Sequence, residues 1–443
     1  MKYYSTNKTA PIATLEKAVV KGLAEDRGLY MPEHIKPLPK EFFDNIDKMS
    51  FQEIAYTVAD AFFGEDVDAE SLKHIVYDTL QFDCPVVPVT ESIYTLELFH
   101  GPTLAFKDVG ARFMARLLQY FLKKGGEYVS SSSASDKKEV NVLVATSGDT
   151  GSAVANGFLG VDGIHVYVLY PKGKVSPIQE CQFTTLGKNI TAVEVDGVFD
   201  DCQALVKSAF MDAELNAHMK LTSANSINVA RFLPQAFYYF NAYARLKAMG
   251  KADQMVVCVP SGNFGNICAA LFGHAMGLPV KRFVAANNAN DIFFKYLQTG
   301  KYEPKPSLAT LANAMDVGDP SNFARIYDLY KGSHEAITSL ISGATYSDKQ
   351  IAETMKQCFA ETKYVLDPHG ACGYQALKEQ LQPGEVGVFC ETAHPAKFKE
   401  KVDAILSSDI EIPQRLQEFM KGTKQSISMT KDFASFKAYL LSE

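Results

Sequence analysis

Residues 141–170 read NVLVATSGDTGSAVANGFLGVDGIHVYVLY, and their pattern decides the fold. Asn141–Ala145 is a nearly unbroken apolar run, and so is Ile164–Tyr170. Runs without polar alternation read as strands covered on both faces. Between them lie the small polar loop Thr146-Ser147-Gly148-Asp149-Thr150 and a helical stretch, Gly151–Gly160. Strand, helix and strand in so short a space make a crossover unit, which demands a parallel sheet. Moving outward, Ser176–Gly187 reads as helix, Ile190–Val195 as strand, and Asp201–Ala213 as a helix capped by Asp200. Val86–Val89, Tyr94–Leu98, Met255–Val259 and Val386–Cys390 are further strands. The helix after Lys107 carries Phe113, Leu117, Tyr120 and Phe121 on one face, and Gly125-Gly126 with the serine run 130–135 reads as a surface loop. The chain is therefore α/β, with parallel or mixed sheets wrapped by helices and ligands expected at the carboxyl ends of the strands.

Residues 1–95 differ. Ser50 and Glu53 form a capping box ahead of a helix whose apolar face is Phe51, Ile54, Ala55, Val58 and Phe62, and Asp68 caps a second helix running to Leu80. The proline-rich MPEHIKPLPK stretch at 31–40 is loop, so the region is small and mostly helical.

The 443 residues leave room for two or three domains, and 47% hydrophobic with 21% charged residues is the balance of a globular protein with ample core. A net charge of −7 without a basic stripe argues against nucleic acid, and no apolar run approaches a membrane span. The start, MKYYSTNKTA, has no signal-peptide core, and the eight cysteines form no C-x-x-C pair. A cytoplasmic protein with reduced thiols and no metal site is the expectation.

Five stretches carry candidate chemistry. His100-Gly101-Pro102-Thr103-Leu104-Ala105-Phe106-Lys107, then Asp108, brings an amine to the mouth of a helix behind an apolar segment. Burial and the helix start lower the pKa of such an amine, which can then hold an aldehyde as a Schiff base, unless the lysine is simply a solvated surface group. Thr146–Thr150 offers hydroxyls and backbone N–H groups suited to a carboxylate, or simply caps a helix. Ser261-Gly262-Asn263-Phe264-Gly265-Asn266, before the helix Ile267–Met276, is either a phosphate cradle or a tight turn. Asn225-Ser226 with Arg231 offers a grip on a phosphate monoester, unless Arg231 faces solvent. Thr392 places a hydroxyl at a strand end, and nearby His394 reads as a structural hydrogen-bonder or a base. Neither G-x-G-x-x-G nor a P-loop occurs, which disfavours a nicotinamide oxidoreductase.

ELFHGPTLAFKDVGARFM, ATSGDTGSAVA, LYPKGKVSPIQE, SANSINVARFLPQ, VPSGNFGN, NAMDVGDPSN and ETAHPAKFKE occur in this order. Together they resemble the threonine synthase family, pyridoxal-phosphate enzymes of the tryptophan-synthase-β fold type (fold type II). YYSTNKTA and LAEDRGLYMP resemble its longer microbial and fungal form. The similarity runs to about residue 405. The resemblance implies Lys107 as the Schiff-base lysine, Gly262, Asn263, Phe264, Gly265 and Asn266 around the cofactor phosphate, and Thr392 at the pyridine nitrogen. It implies Ser147, Gly148, Asp149 and Thr150 at the substrate carboxylate, and Asn225, Ser226 and Arg231 at the substrate phosphate. Shorter relatives carry asparagine at the place of Asp149, contacting the cofactor's 3′-hydroxyl; an aspartate can accept there but not donate. The implied layout is an N-terminal helical region 1–95, a large cofactor-binding domain 96–110 and 205–443, and a smaller α/β domain 111–204 closing over the site.

The implied reaction converts O-phospho-L-homoserine and water to L-threonine and phosphate, by γ-elimination and β-hydration on pyridoxal 5′-phosphate. The neighbouring expectations are a phospho-lyase acting on the same substrate, or a threonine dehydratase or cysteine synthase of the same fold, against which the phosphate-gripping Arg231 speaks. A binding protein that merely kept the fold is the expectation of another class. The partner is a small molecule, not nucleic acid or membrane, and a monomer is compatible with the sequence.

Overall fold

The apolar runs become strands as their composition demands. A computed structural model of the chain describes residues 1–125 and 139–443; Gly126 and the serine run 130–135 lie outside the described residues. The chain divides into two compact units. One contains Met1, 32–106 and 232–411; the other contains 2–31, 107–231 and 412–443. The boundaries thus fall at 1/2, 31/32, 106/107, 231/232 and 411/412, where the sequence reading sets them at 95/96, 110/111 and 204/205.

The larger unit is built on a six-stranded sheet in the order Ile341–Thr345, Arg282–Asn287, Met255–Pro260, Val386–Glu391, Ile93–Glu97, Val86–Pro88. All neighbours are parallel except the last pair. Met255–Pro260 is buried at every residue, as expected of a strand covered by helices on both faces. The helix Phe51–Phe63 begins with the expected capping box, Ser50 and Glu53 exchanging bonds of 3.1 and 2.8 Å, and it buries Phe51, Ile54, Ala55, Val58 and Phe62. Asp68 caps Ala69–Thr79 by accepting the Ser71 N–H at 2.9 Å.

The smaller unit holds a fully parallel five-stranded sheet, ordered Ile427–Thr430, Ile190–Asp196, Ile164–Pro171, Val140–Ala145, Lys220–Ser223. The 220–223 strand extends this unit past residue 204, and the 427–430 strand brings in the C-terminal segment. Phe436 and Leu440 of the last helix, Phe433–Ser442, are buried beside Leu205, Val206 and Leu215. A further small sheet joins Lys2–Ser5, Ala13–Thr14 and Tyr30–Pro32.

Two local expectations shift. The helix placed at Asp201–Ala213 spans Phe199–Met211, and Asp200 lies in its first turn instead of capping it. Asp201 closes that end by accepting the Val198 N–H at 2.8 Å. The chain then re-caps at Asp212, which accepts the Leu215 N–H at 2.9 Å and starts Ala213–His218. None of the eight cysteines is joined in a disulfide. Among the described residues no helix is long and apolar enough to cross a membrane, and no cluster of His, Cys, Asp and Glu is arranged for a metal.

Candidate active site

In the larger unit two adjacent parallel strands, 255–260 and 386–391, end at the loops holding Gly262–Asn266 and Thr392. Gly262 is required by space: a Cβ there would stand 2.6 Å from the Ala314 carbonyl oxygen. Phe264 adopts a left-handed φ of 67° and is the N-cap of the helix Gly265–Ala275, without a side-chain cap. An uncapped helix start behind a glycine-bearing loop presents backbone N–H groups, a fitting cradle for a phosphate dianion. Asn266 braces the loop, its Nδ2 donating to the Pro260 carbonyl at 2.9 Å while its own carbonyl accepts the Tyr239 hydroxyl at 3.0 Å. Ser321 N–H donates to Asn263 Oδ1 at 2.7 Å, and Asn322 holds the Asn263 carbonyl through its backbone N–H (3.2 Å) and Nδ2 (3.1 Å). The donor set fits the phosphate of a pyridoxal cofactor.

Thr392 is buried, and its carbonyl accepts the Phe106 N–H at 2.8 Å. The His394 N–H donates to the Leu104 carbonyl at 3.0 Å, and Ala105 bridges Ala393. The buried Lys397 ammonium donates to the Thr103 carbonyl at 2.8 Å. Segment 103–106 is thus stitched to 392–397, holding Leu104 at a left-handed φ of 60°. A leucine in that region persists only where its surroundings over-determine it. The next residue in the chain is Lys107. His394 makes structural contacts: its Nδ1 accepts the Ala396 N–H at 3.0 Å, its ring meets Phe99 edge-on, and burial pushes its pKa down to about 4.

In the smaller unit Lys107 is the first residue of the helix Lys107–Lys124 and is half-buried. One turn on, Gly110 lies against Arg231: a Cβ there would stand 2.4 Å from the Arg231 carbonyl oxygen and 3.3 Å from its Nε. Arg231 is 1% exposed, so the solvent-facing alternative falls. The helix holding it is short, Val229–Phe232, and the guanidinium folds back so that Nη1 donates to the Ala224 carbonyl. That fold-back carries the charge to the start of the 224–228 loop. Asn225 Nδ2 donates to the Ala145 carbonyl at 3.4 Å, linking this loop to the end of the neighbouring strand, from which Thr146–Thr150 leaves. Ser226 is half-buried on the same loop.

The helix expected from Gly151 starts earlier, at Asp149, with Gly148 as N-cap at φ 143°, a conformation that only glycine adopts readily. Thr146 Oγ1 accepts the Gly148 and Gly151 N–H groups at 2.9 and 2.7 Å. Ser147 and Thr150 are half-buried beside it. Asp149 is 5% exposed and accepts Gln179 Nε2 at 3.0 Å, and the same carboxamide fills the space a Cβ on Gly148 would need. Sequence reasoning missed Gln179 and Lys397 as supports of the loops. Gln179 sits in the quoted LYPKGKVSPIQE and Lys397 in ETAHPAKFKE, where only their place in those segments drew notice.

Residues 87–391 match the family of pyridoxal-phosphate-dependent enzymes, residues 2–80 the threonine synthase N-terminal family, and residues 370–440 the threonine synthase C-terminal family. The chain belongs to the threonine synthase family of pyridoxal-phosphate enzymes. It is 44% identical over 441 residues to threonine synthase of Haemophilus influenzae, covering all of both chains. The crystal structure of threonine synthase from Escherichia coli matches at 42% identity with a TM-score of 0.91, covering all of both chains. The pyridoxal-phosphate-bound threonine synthase from Brucella melitensis matches at 33% identity and the same TM-score, over 100% of this chain and 99% of that one. The fold is that of the fold-type II enzymes, and pyridoxal phosphate is the cofactor. The C-terminal match reaches residue 440, so the family signal continues past residue 405, where the sequence reading ends it.

Proposed function

We propose that this lyase makes L-threonine and phosphate from O-phospho-L-homoserine and water. The observation that carries this reading is Arg231, buried against Gly110 one helical turn beyond Lys107. A desolvated guanidinium binds a phosphate ester strongly, and a dehydratase or cysteine synthase acting on an unphosphorylated substrate has no use for it.

Pyridoxal phosphate, when bound, supplies an electron sink that acidifies protons near the substrate amine. The chain's own residues do the rest. Gly262, Asn263, Phe264, Gly265 and Asn266 hold the cofactor phosphate, and Thr392 offers its hydroxyl to the pyridine nitrogen. A neutral hydroxyl there leaves that nitrogen largely unprotonated. Ser147, Gly148, Asp149 and Thr150 take the substrate carboxylate, with Asp149 oriented by Gln179. The Lys107 amine would anchor the cofactor in the resting enzyme and, when not so engaged, would move protons at Cα and Cβ of the substrate. Arg231, Asn225 and Ser226 hold the substrate phosphate and stabilise the extra charge it carries on departing. With a small molecule as partner, the cytoplasm is the location this reading assigns, where thiols stay reduced.

The test is product analysis. Holoenzyme given O-phosphohomoserine should release threonine and inorganic phosphate in equal amounts. Phosphate with 2-oxobutyrate and no threonine would make the protein a phospho-lyase. Borohydride reduction followed by peptide mapping should place the cofactor label on Lys107, and a label elsewhere refutes that role.

A further inference from the structure

Below the Gly262 cradle lies a chain of buried polar groups that the reaction itself does not use. Glu391, Asp367 and His369 are each at most 2% exposed. Glu391 ends the strand that leads into Thr392, and its Oε1 accepts the Asp367 N–H at 3.3 Å. Asp367 caps the helix Pro368–Gln380, accepting the Gly370 N–H at 2.8 Å, and also accepts His369 Nδ1–H. His369 Nε2 in turn accepts the Ala314 N–H at 3.1 Å. Because an N–H can only donate, that contact fixes the ring as the Nδ1–H tautomer with a lone pair on Nε2. Burial and the neighbouring Asp367 charge push Glu391 well above the usual carboxylate range; burial pushes Asp367 the same way, yet His369, Glu391 and the Gly370 N–H together hold it below that range.

The ring's other end reaches the cofactor loop. Ala314 is the middle of the turn Asn313–Met315, and the Gly262 backbone rests on it: a Cβ on Gly262 would meet the Ala314 carbonyl oxygen at 2.6 Å and Met315 Cα at 3.0 Å. A shift of the turn towards Gly262 must move it, and a shift away removes its support. Gly370 is equally constrained, since a Cβ there would stand 2.4 Å from Glu391 Oε1.

We propose that His369 is a positioning residue for the cofactor-phosphate loop, holding the 313–315 turn under Gly262 through its Nε2 lone pair while Asp367 and Glu391 hold the ring. The inference rests on the reading of Gly262–Asn266 as the phosphate cradle. It ties that loop to the strand end that carries Thr392, so both poles of the cofactor site share one buried support.

The test uses holoenzyme and three variants. His369→Gln keeps an acceptor near the Nε2 position; His369→Asn keeps a group facing Asp367 but loses reach to Ala314. Pyridoxal-phosphate affinity is measured by equilibrium dialysis, the bound phosphate by its 31P resonance, and the cofactor-free protein by thermal melting. The Asn variant should bind the cofactor about tenfold more weakly, the cost of a buried N–H left without its acceptor, and should show a displaced 31P line. The Gln variant should restore both. Equal losses in Asn and Gln variants, or an Asn variant that melts lower yet binds and resonates as the parent, would overturn the proposal. Gly262→Ala serves as the reference. If it too leaves affinity unchanged, the cradle reading has failed; if it alone weakens binding, only the role of His369 has. Should the Asn variant not fold, 15N resonances of the parent enzyme decide. A protonated Nε2 on His369 would refute the geometry, and an unprotonated, hydrogen-bonded Nε2 would support it.

Discussion

Replacing Gly110 by alanine tests the substrate-phosphate assignment without touching a proposed reacting group. The new methyl would stand 2.4 Å from the Arg231 carbonyl oxygen, about 1 Å inside ordinary contact. The atom in the way is main chain, so the helix start or the 229–232 turn must move. Overpacking of this kind costs about 1–3 kcal/mol, and alanine's better helix propensity returns about 1 kcal/mol, so stability should fall by about 0–2 kcal/mol. Activity should suffer more. A displacement of about 1 Å at a group gripping the reacting phosphate is worth about a hundredfold in kcat/KM, or about 2.7 kcal/mol of transition-state stabilisation. Steady-state kinetics with O-phosphohomoserine, and inhibition by inorganic phosphate as a probe of the same grip, give the readout. The phosphate inhibition constant should rise together with the loss in kcat/KM, while cofactor affinity holds. A variant that melts lower but keeps both kinetic values within about threefold would show that Arg231 does not bind the leaving group.

Asp26 organises the N-terminal turn, accepting Ser5 Oγ at 2.6 Å and the Gly28, Thr9 and Ala10 N–H groups at 2.9, 3.0 and 2.8 Å. Burial opposes its ionisation, yet these bonds hold its carboxyl far below the usual range; Asp26→Ala should cost about 1–3 kcal/mol, read by denaturant melts at neutral pH. Glu385 is held at about 2, chiefly by Arg282 at 2.7 Å, so its contribution is present above the ordinary carboxylate pKa and fades as pH drops towards 2. Glu385→Gln should therefore flatten part of the acid limb of the stability curve while lowering the plateau. His394, with a pKa of about 4, should show neutral imidazole NMR shifts throughout pH 5–8 and contribute no inflection to the rate profile in that window.

Much of this molecule is written in local pattern. The unbroken apolar runs at 141–145 and 255–259 announce buried parallel strands, and Ser50 with Glu53 announces a helix start, because each signal lies within a few residues. The loops at 146–150 and 261–266 were legible for the same reason: glycine and small hydroxyls crowd a strand-to-helix turn. What escaped was long-range. Asp367 and His369 meet Ala314 more than fifty residues earlier in the chain and Glu391 more than twenty later, and nothing in their spacing predicts it. Gln179 reaches Asp149 across thirty residues. Asp200 misled because the acidic run at 200–201 offers two capping candidates, and the one that closes the helix does so from inside the first turn. The small sheet at residues 2–32 escaped because its strands are short and paired through a loop fixed by Asp26.

The five-stranded sheet draws its edge strand, Ile427–Thr430, from a segment some two hundred residues beyond its other strands, while residues 2–31 belong to the same unit. During translation the residues 107–231 emerge with hydrophobic Val193, Val195 and Leu205 waiting for Phe436 and Leu440, which leave the ribosome some two hundred codons later. Until then the exposed side of Ile190–Asp196 is an open edge of the kind that recruits foreign strands. The nascent polypeptide is thus in need of chaperone cover between the emergence of residue 231 and that of residue 440, and a chain cut short before residue 427 would leave that side bare for good.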